Sequence, residues 1–337
     1  MSATIQIRKP GKGRFGKKKF AHFIKPMLAK LIDEPFDDKD WVFEIKWDGY
    51  RGIAEIHENS IRFYSRNGLS LAERYPPISE SLLKMNRRAI LDGEIVVLDK
   101  NNRSDFQKLQ QYEINPDLPL YYYVFDLLEL DGKNIEHLPL LDRKILLKKL
   151  IPGGGNIVYC DHVAGKGRAF FKELVKRDLE GMIAKRSASE YQPGKRTGEW
   201  LKIKNHKSQE VVIVGYTAPK GERKYFGSLI LGTYKNKSLD YVGHAGTGFT
   251  ESGLKALYEQ MQRYISRKPP FAHPIKTNGS PTWLKPVLVA NVKYSELTEN
   301  GQMRHPVFLG LRTDKGAKEV KTEIPKSWKQ RKAGRQK

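Results

Sequence analysis

The residues best placed to do chemistry are Glu44, Lys46 and Asp48, in the run Glu-Ile-Lys-Trp-Asp-Gly-Tyr-Arg from Glu44 to Arg51. A short apolar segment, Trp41-Val42-Phe43, leads into the lysine, and an Asp-Gly pair follows it. Burial at such a strand end disfavours the ammonium form, so the expectation is a lowered pKa and an amine available as a nucleophile. Strand alternation places Glu44, Lys46 and Asp48 on one face and Phe43, Ile45 and Trp47 on the other. One carboxylate, one amine and a backbone-bending glycine would then share a pocket wall. The core Lys-x-Asp-Gly is too short to define a reaction by itself.

The elements that must hold these residues can be read from periodicity. Trp41–Trp47, Ile61–Ser65, Ala89–Leu98, Leu120–Leu130 and Gly181–Lys185 are rich in β-branched and aromatic residues and read as strands. Ser79–Met85, Asp142–Leu150 and Ala169–Arg177 carry apolar residues at three- and four-residue spacing and read as helices. Gly153-Gly154-Gly155-Asn156 reads as a helix-to-strand loop. From about Val211 the pattern changes to short strands with glycine turns: Val211–Tyr216, Ser228–Tyr234, Leu239–Gly243, Val287–Tyr294 and Val307–Leu311. One helix, Ser252–Tyr264, interrupts them, and a small barrel of the OB type fits the length. The polar stretch Asn205-His206-Lys207-Ser208 is the expected hinge.

Six further segments follow the lysine in order: Tyr64–Gly68, Leu91–Glu94, Val124–Leu128, Glu180–Lys185, Trp200–Lys204 and Gly310–Lys315. The series resembles the covalent nucleotidyltransferases, the superfamily of polynucleotide ligases and mRNA capping enzymes. In wording it is most similar to the ATP-dependent ligase module of bacterial DNA ligase D. The stretches Phe226–Gly232 and Tyr241–Phe249 are typical of that branch. The resemblance covers about residues 24–320. It implies an α+β chain: a nucleotidyltransferase (adenylation) domain of mixed sheets and helices over 21–206, then an OB-fold β-barrel over 207–320. Residues 1–20 and 321–337 are expected to be flexible basic tails.

The resemblance also implies roles. Lys46 would be the nucleophile that takes AMP from ATP, and Glu44 the adenine contact. Arg51 and Arg66 would hold the ribose and phosphates, a task suited to a guanidinium that stays charged and donates two parallel hydrogen bonds. Glu94 would be a ribose or metal-proximal carboxylate and Glu180 a metal ligand, with Mg²⁺ or Mn²⁺ offsetting the triphosphate charge. An aromatic residue in a strand is more often core, but the resemblance makes Phe125 the ring stacked on adenine. Lys202 and Lys204 alternate on one strand face, where two ammonium groups repel unless an anion lies between them; the implied anion is the α-phosphate. Both would also hold down the pKa of Lys46. Lys185 is read as a weaker companion facing solvent. Arg312, Asp314 and Lys315 would orient the pyrophosphate.

Composition agrees with a polyanion as partner. The 337 residues carry 61 Lys and Arg against 38 Asp and Glu, a formal charge of +23. Residues 1–20 hold seven basic residues and no acid; they are either simply solvated or in contact with a phosphate backbone. Cys160 is the only cysteine, which excludes a disulfide framework, a four-cysteine zinc site and the cysteine cluster of an NAD-dependent ligase. No His-Glu-x-x-His pair, signal-peptide core or membrane-length apolar run is present, so a soluble cytoplasmic protein is expected. Gly11–Lys17 fits Gly-x4-Gly-Lys, but Lys18 stands where a phosphate-binding loop needs Ser or Thr.

The activity that the resemblance implies is an ATP-dependent DNA ligase acting as a monomer on nicks or double-strand ends in bacterial end-joining repair, with the end-binding protein Ku as a partner. An RNA ligase and a capping guanylyltransferase using GTP remain the alternatives. A chain this short has no room for the polymerase and phosphoesterase modules that accompany many ligase D proteins, so it is either a stand-alone ligase or part of a longer one.

Overall fold

A computed structural model describes residues 23–323, apart from Pro152, Lys220, Lys237 and Glu299. Most of both basic tails thus lies outside the described residues. Strand β1 (Asp38–Ile45) is buried from Trp41 to Glu44. Phe36 packs edge-on against Trp41 and Phe43, both at 5.3 Å between ring centres. Burying a side chain such as Phe43 stabilises by about 1.5–3 kcal/mol, which fixes the strand that ends next to Lys46. The strand stops at Ile45, two residues short of the expected end, because the chain turns toward Gly49. An added Cβ at Gly49 would lie 2.0 Å from the Ile95 carbonyl oxygen, so close backbone approach is what requires glycine here.

Strands β2 (Tyr50–His57), β3 (Ser60–Ser65), β4 (Ala89–Val97) and β5 (Leu120–Leu130) form an antiparallel sheet in the order β3-β2-β4-β5. Helix α1 (Pro76–Lys84) buries Ile78 and Leu82 against it, and the short α2 (Phe106–Gln110) buries Phe106 and Leu109. Helix α3 (Leu140–Leu150) packs on β5, and β6 (Ile157–Tyr159) adds to β5 in parallel. A second sheet combines β1 with β7 (Val163–Gly165), β8 (Gly181–Arg186) and β9 (Trp200–Lys204), and helix α4 (Gly167–Lys176) lies against it. Its order, β9-β8-β1-β7, sets Met182 opposite Ile45 and Gly181 opposite Lys204. Lys46 is thereby delivered to the seam between the two sheets. Strand β2 and helix α2 escape the sequence pattern: β2 is buried without a break from Gly52 to Ile56, even at Glu55, and α2 is barely more than one turn.

After residues 205–207 the chain enters the barrel, built from β10 (Ser208–Thr217), β11 (Leu229–Lys235), β12 (Ser238–Ala245), β13 (Pro281–Leu284), β14 (Val289–Lys293) and β15 (Val307–Leu311). Strand β10 pairs with β14 along Ser208–Val212 and with β13 along Gly215–Thr217, so it bends from one partner to the next. A bridge between Thr247 and Val307 brings the two ends of the sheet together. Helix α5 (Glu251–Gln262), capped by Thr250, buries Leu254, Leu257 and Met261 in the barrel core. The fold is α+β, a nucleotidyltransferase domain followed by an OB barrel. Residues 321–323 are a correction to the expected tail. Thr322 bonds Thr233 at 2.8 Å and the Glu323 amide donates to Gln209, so this segment belongs to the barrel.

Candidate active site

A cavity of about 190 Å³ opens at the seam and is lined by both domains. Lys46, Glu44, Arg51, Arg66, Glu94, Phe125 and Lys202 face it from the first domain, and Arg312 and Asp314 from the barrel. Lys185, Trp47, Arg196 and Trp200 line it as well. Most of the residues singled out in the sequence therefore converge, although they are spread over nearly 270 positions.

The amide of Lys46 donates to the Gly181 carbonyl at 2.9 Å, and its ammonium lies 2.5 Å from Oε2 of Glu180. An added Cβ at Gly181, which has φ +148°, would fall 2.1 Å from the Ile203 oxygen, so only glycine lets Glu180 come this close. Burial pulls the pKa of Lys46 down, but Glu180, Asp48 and Glu94 outweigh it and the net direction is upward. The expected lowered pKa is thus overturned in this arrangement: the lysine rests as a paired ammonium. Asp48 does not line the cavity; it acts on Lys46 through its field. Its own pKa is pushed up to about 6 by burial and the nearby Glu180.

Glu44 is almost fully buried, with Oε1 held by Lys144 at 2.6 Å and Oε2 by Lys185 at 2.7 Å. Lys185 does not face solvent as expected. It is 1% exposed, and its ammonium sits 4.2 Å from the ring centres of both Phe125 and Trp200. Lys144, on α3, was not visible as a site residue because its neighbours give it an ordinary solvated-helix context in sequence. Arg51 grips Asp92 through Nε and Nη2 at 2.8 and 2.5 Å, and Tyr191 donates to the same carboxylate at 2.7 Å. This network aligns the guanidinium 5.1 Å from the centre of Phe125.

Glu94 faces the cavity with its pKa pushed up to about 8 by burial, an effect that Arg312, Lys46 and Arg51 only partly offset. Lys202 and Lys204 share one face of β9, as alternation predicts, but only Lys202 reaches the cavity. Lys204 donates to the Ser208 carbonyl at 2.8 Å, and burial plus Lys202 and Lys46 lower its pKa to about 8.

The barrel contributes Arg312, held by both oxygens of Asp314 at 2.9 and 2.8 Å. Its other nitrogen reaches the Gly49 carbonyl at 3.3 Å, and Asn67 donates to the Asp314 carbonyl at 2.7 Å. Arg66 pairs with Glu319 at 3.2 Å, and Gln110 donates to the Leu311 carbonyl. The two domains are closed on one another. Lys315 departs from expectation: it pairs with Glu210 inside the barrel and does not line the cavity. Sequence spacing could not separate Arg312 from Lys315, since the turn between them decides which one points inward.

The carboxylates fit a divalent ion. Glu180, Asp48 and Glu94 all act on Lys46, and burial raises the pKa of Asp48 and Glu94 against the pull of Lys46 and Arg312; carboxylate oxygens are the donors that Mg²⁺ takes. Among the described residues no cluster of three or more His, Cys, Asp or Glu forms a metal cage.

The model of the ATP dependent DNA ligase domain matches residues 26–204, and that of the ATP dependent DNA ligase C terminal region matches 222–315. The chain belongs to the ATP-dependent DNA ligases. It is 36% identical over 334 residues to the multifunctional non-homologous end joining protein LigD of Pseudomonas aeruginosa, covering 96% of this chain and 40% of that protein. The protein of the same name from Mycolicibacterium smegmatis is 36% identical over 300 residues, 88% of this chain and 39% of the relative. A solved structure of mycobacterial DNA ligase D complexed with ATP and MES is 34% identical and superimposes with a TM-score of 0.68, covering 90% of this chain and 98% of that one. The chain thus spans about 40% of the length of these end-joining relatives and nearly all of that solved structure.

Proposed function

We propose that this ligase seals 5′-phosphate/3′-hydroxyl breaks in DNA through a lysyl-AMP intermediate on Lys46. The observation that carries the reading is that the Lys46 amine, paired with the Glu180 carboxylate, lines one cavity together with the cationic residues Arg51, Arg66, Lys202 and Arg312. In the first step the Lys46 amine attacks the α-phosphorus of ATP; the bond to the β-phosphate oxygen breaks and pyrophosphate leaves. AMP then passes to the 5′-phosphate at a break, and attack by the 3′-hydroxyl releases it.

Residue roles follow from position. Glu44, fixed by Lys144 and Lys185, offers only acceptor oxygens and suits the exocyclic amine of adenine. Phe125 stacks the base, and Arg51 stays aligned by Asp92. Glu94 and Glu180 would hold Mg²⁺ or Mn²⁺, which supplies neutralisation of triphosphate charge. Arg312 faces the leaving pyrophosphate, and Asp314 keeps its guanidinium in place. Before attack, Lys46 has to lose its proton; burial favours the loss while Glu180 opposes it.

The relatives named for non-homologous end joining support a role in joining double-strand ends with Ku. Incubation with α-labelled ATP or GTP, followed by sealing assays on nicked, cohesive and blunt substrates with and without Ku, tests the proposal. A labelled adduct from ATP alone and sealing of at least one substrate are expected; an adduct formed from GTP instead would overturn it.

A further inference from the structure

Both carboxylate oxygens of Glu323 lie 2.7 Å from the ammonium of Lys202, a residue 121 positions earlier and in the other domain. Glu323 is held there by its own chain. The Val320 carbonyl accepts from the Tyr234 amide at 2.7 Å, Thr322 bonds Thr233, and the Glu323 amide bonds Gln209. The segment is thus pinned to β10 and β11 of the barrel while its carboxylate reaches across the seam. Lys202 lines the cavity together with Lys46, Arg66 and Arg196.

Two like charges on one face of β9 require an anion, and the protein supplies one of its own. A carboxylate presenting two oxygens to one ammonium offers the same charge sign and contact pattern as two oxygens of a phosphate. We propose that Glu323 is an internal stand-in for a nucleotide phosphate and competes with ATP for Lys202. Burial pushes the Glu323 pKa up, but Lys202 and Lys204 outweigh it and bring it down to about 2, so this competitor stays ionised over the whole working pH range. The carboxylate travels with the barrel. Opening of the domains therefore takes away the competing anion and Arg312 together, and closing without ATP restores the charge balance on Lys202.

The inference rests on reading Lys202 as a phosphate contact, and the experiment separates the two. Single-turnover AMP transfer to the protein is measured against ATP concentration for wild type, Glu323→Gln, Lys202→Ala and the double variant. Glu323→Gln should reach half-maximal transfer at about fivefold less ATP, the equivalent of the roughly 1 kcal/mol of a partly exposed ion pair, with an unchanged maximum. Lys202→Ala should need more ATP, and adding Glu323→Gln to it should change nothing further, because the shared target is gone. If Lys202→Ala leaves the ATP requirement unchanged, the phosphate reading of Lys202 fails and takes this inference with it. If Lys202→Ala raises the requirement but Glu323→Gln leaves it unchanged or raises it, only the competition is overturned and Glu323 is a tie between domains. Melting curves support that last assignment if Glu323→Gln also lowers Tm.

Discussion

The ammonium of Lys46 and the carboxylate of Glu180 meet at 2.5 Å across 134 residues of chain. This contact sets the proton balance of Lys46. Because the pKa of Lys46 is raised, the fraction of free amine climbs about tenfold per pH unit below that pKa, and AMP transfer should accelerate from pH 7 to 9. Glu180→Gln removes the charge that stabilises the ammonium. Its rising limb should move to lower pH even though its maximum rate falls. Single-turnover transfer from pH 6 to 10 checks this; an unshifted limb would mean that Glu180 does not control the lysine.

Lys46→Ala should form no AMP adduct detectable by intact mass and should lose at least about 100-fold in sealing of an unadenylated nick. Sealing of a pre-adenylated nick should persist in part, because the last step needs no lysine nucleophile. An adduct that still forms at another residue would remove Lys46 from its role.

Glu94 carries a stability cost when it is ionised. Its folded pKa of about 8 lies above the unfolded value of about 4.3, so folding favours the protonated form. That contribution is complete below about pH 4.3 and is lost as pH rises toward 8. Glu94→Gln should therefore raise Tm at pH 8 by about 2–4 °C, the shift from about 1 kcal/mol in a large domain, and by less at pH 5. AMP transfer should fall at both. Equal Tm changes at the two pH values would rule out the buried-charge explanation.

What the sequence revealed depended on whether a residue's role is local. Lys46, Glu94, Lys202 and Arg312 sit in runs whose neighbours fix strand or turn geometry, and all four reach the cavity. Most barrel strands were legible because glycine turns bound short β-branched runs, and Val307–Leu311 matches to the residue, as Leu120–Leu130 does in the first domain; the four-residue strand Pro281–Leu284 was missed. Lys144 was hidden because its value lies in a partner 100 residues away, Glu44. Lys185 was misread for the same reason: burial between Phe125 and Trp200 is a property of packing, not of its own strand. Glu323 fell in a stretch whose positive charge suggested a tail. The direction of the Lys46 pKa also failed, since desolvation is visible in a local apolar run while Glu180 is not.

Arg312 and Lys315 stand three residues apart, yet they should behave differently. Arg312 is half-buried over Phe106 at 5.0 Å, is gripped by Asp314, and reaches the Gly49 carbonyl, three residues from Lys46. Lys315 is tied to Glu210 within the barrel, and its pKa is lowered to about 8 by burial and Arg66. Arg312→Ala should therefore slow AMP transfer by about 100-fold, the scale of losing one positioned charge on a leaving group. Lys315→Ala should cost about tenfold or less, the scale of a charge acting from outside the cavity. Neither should slow sealing of a pre-adenylated nick to the same extent, because no pyrophosphate leaves in that step. Parallel measurement of AMP transfer and pre-adenylated nick sealing for both variants decides the point. Equal losses in the two assays for Arg312→Ala would assign it to holding the barrel against the first domain rather than to the departing pyrophosphate.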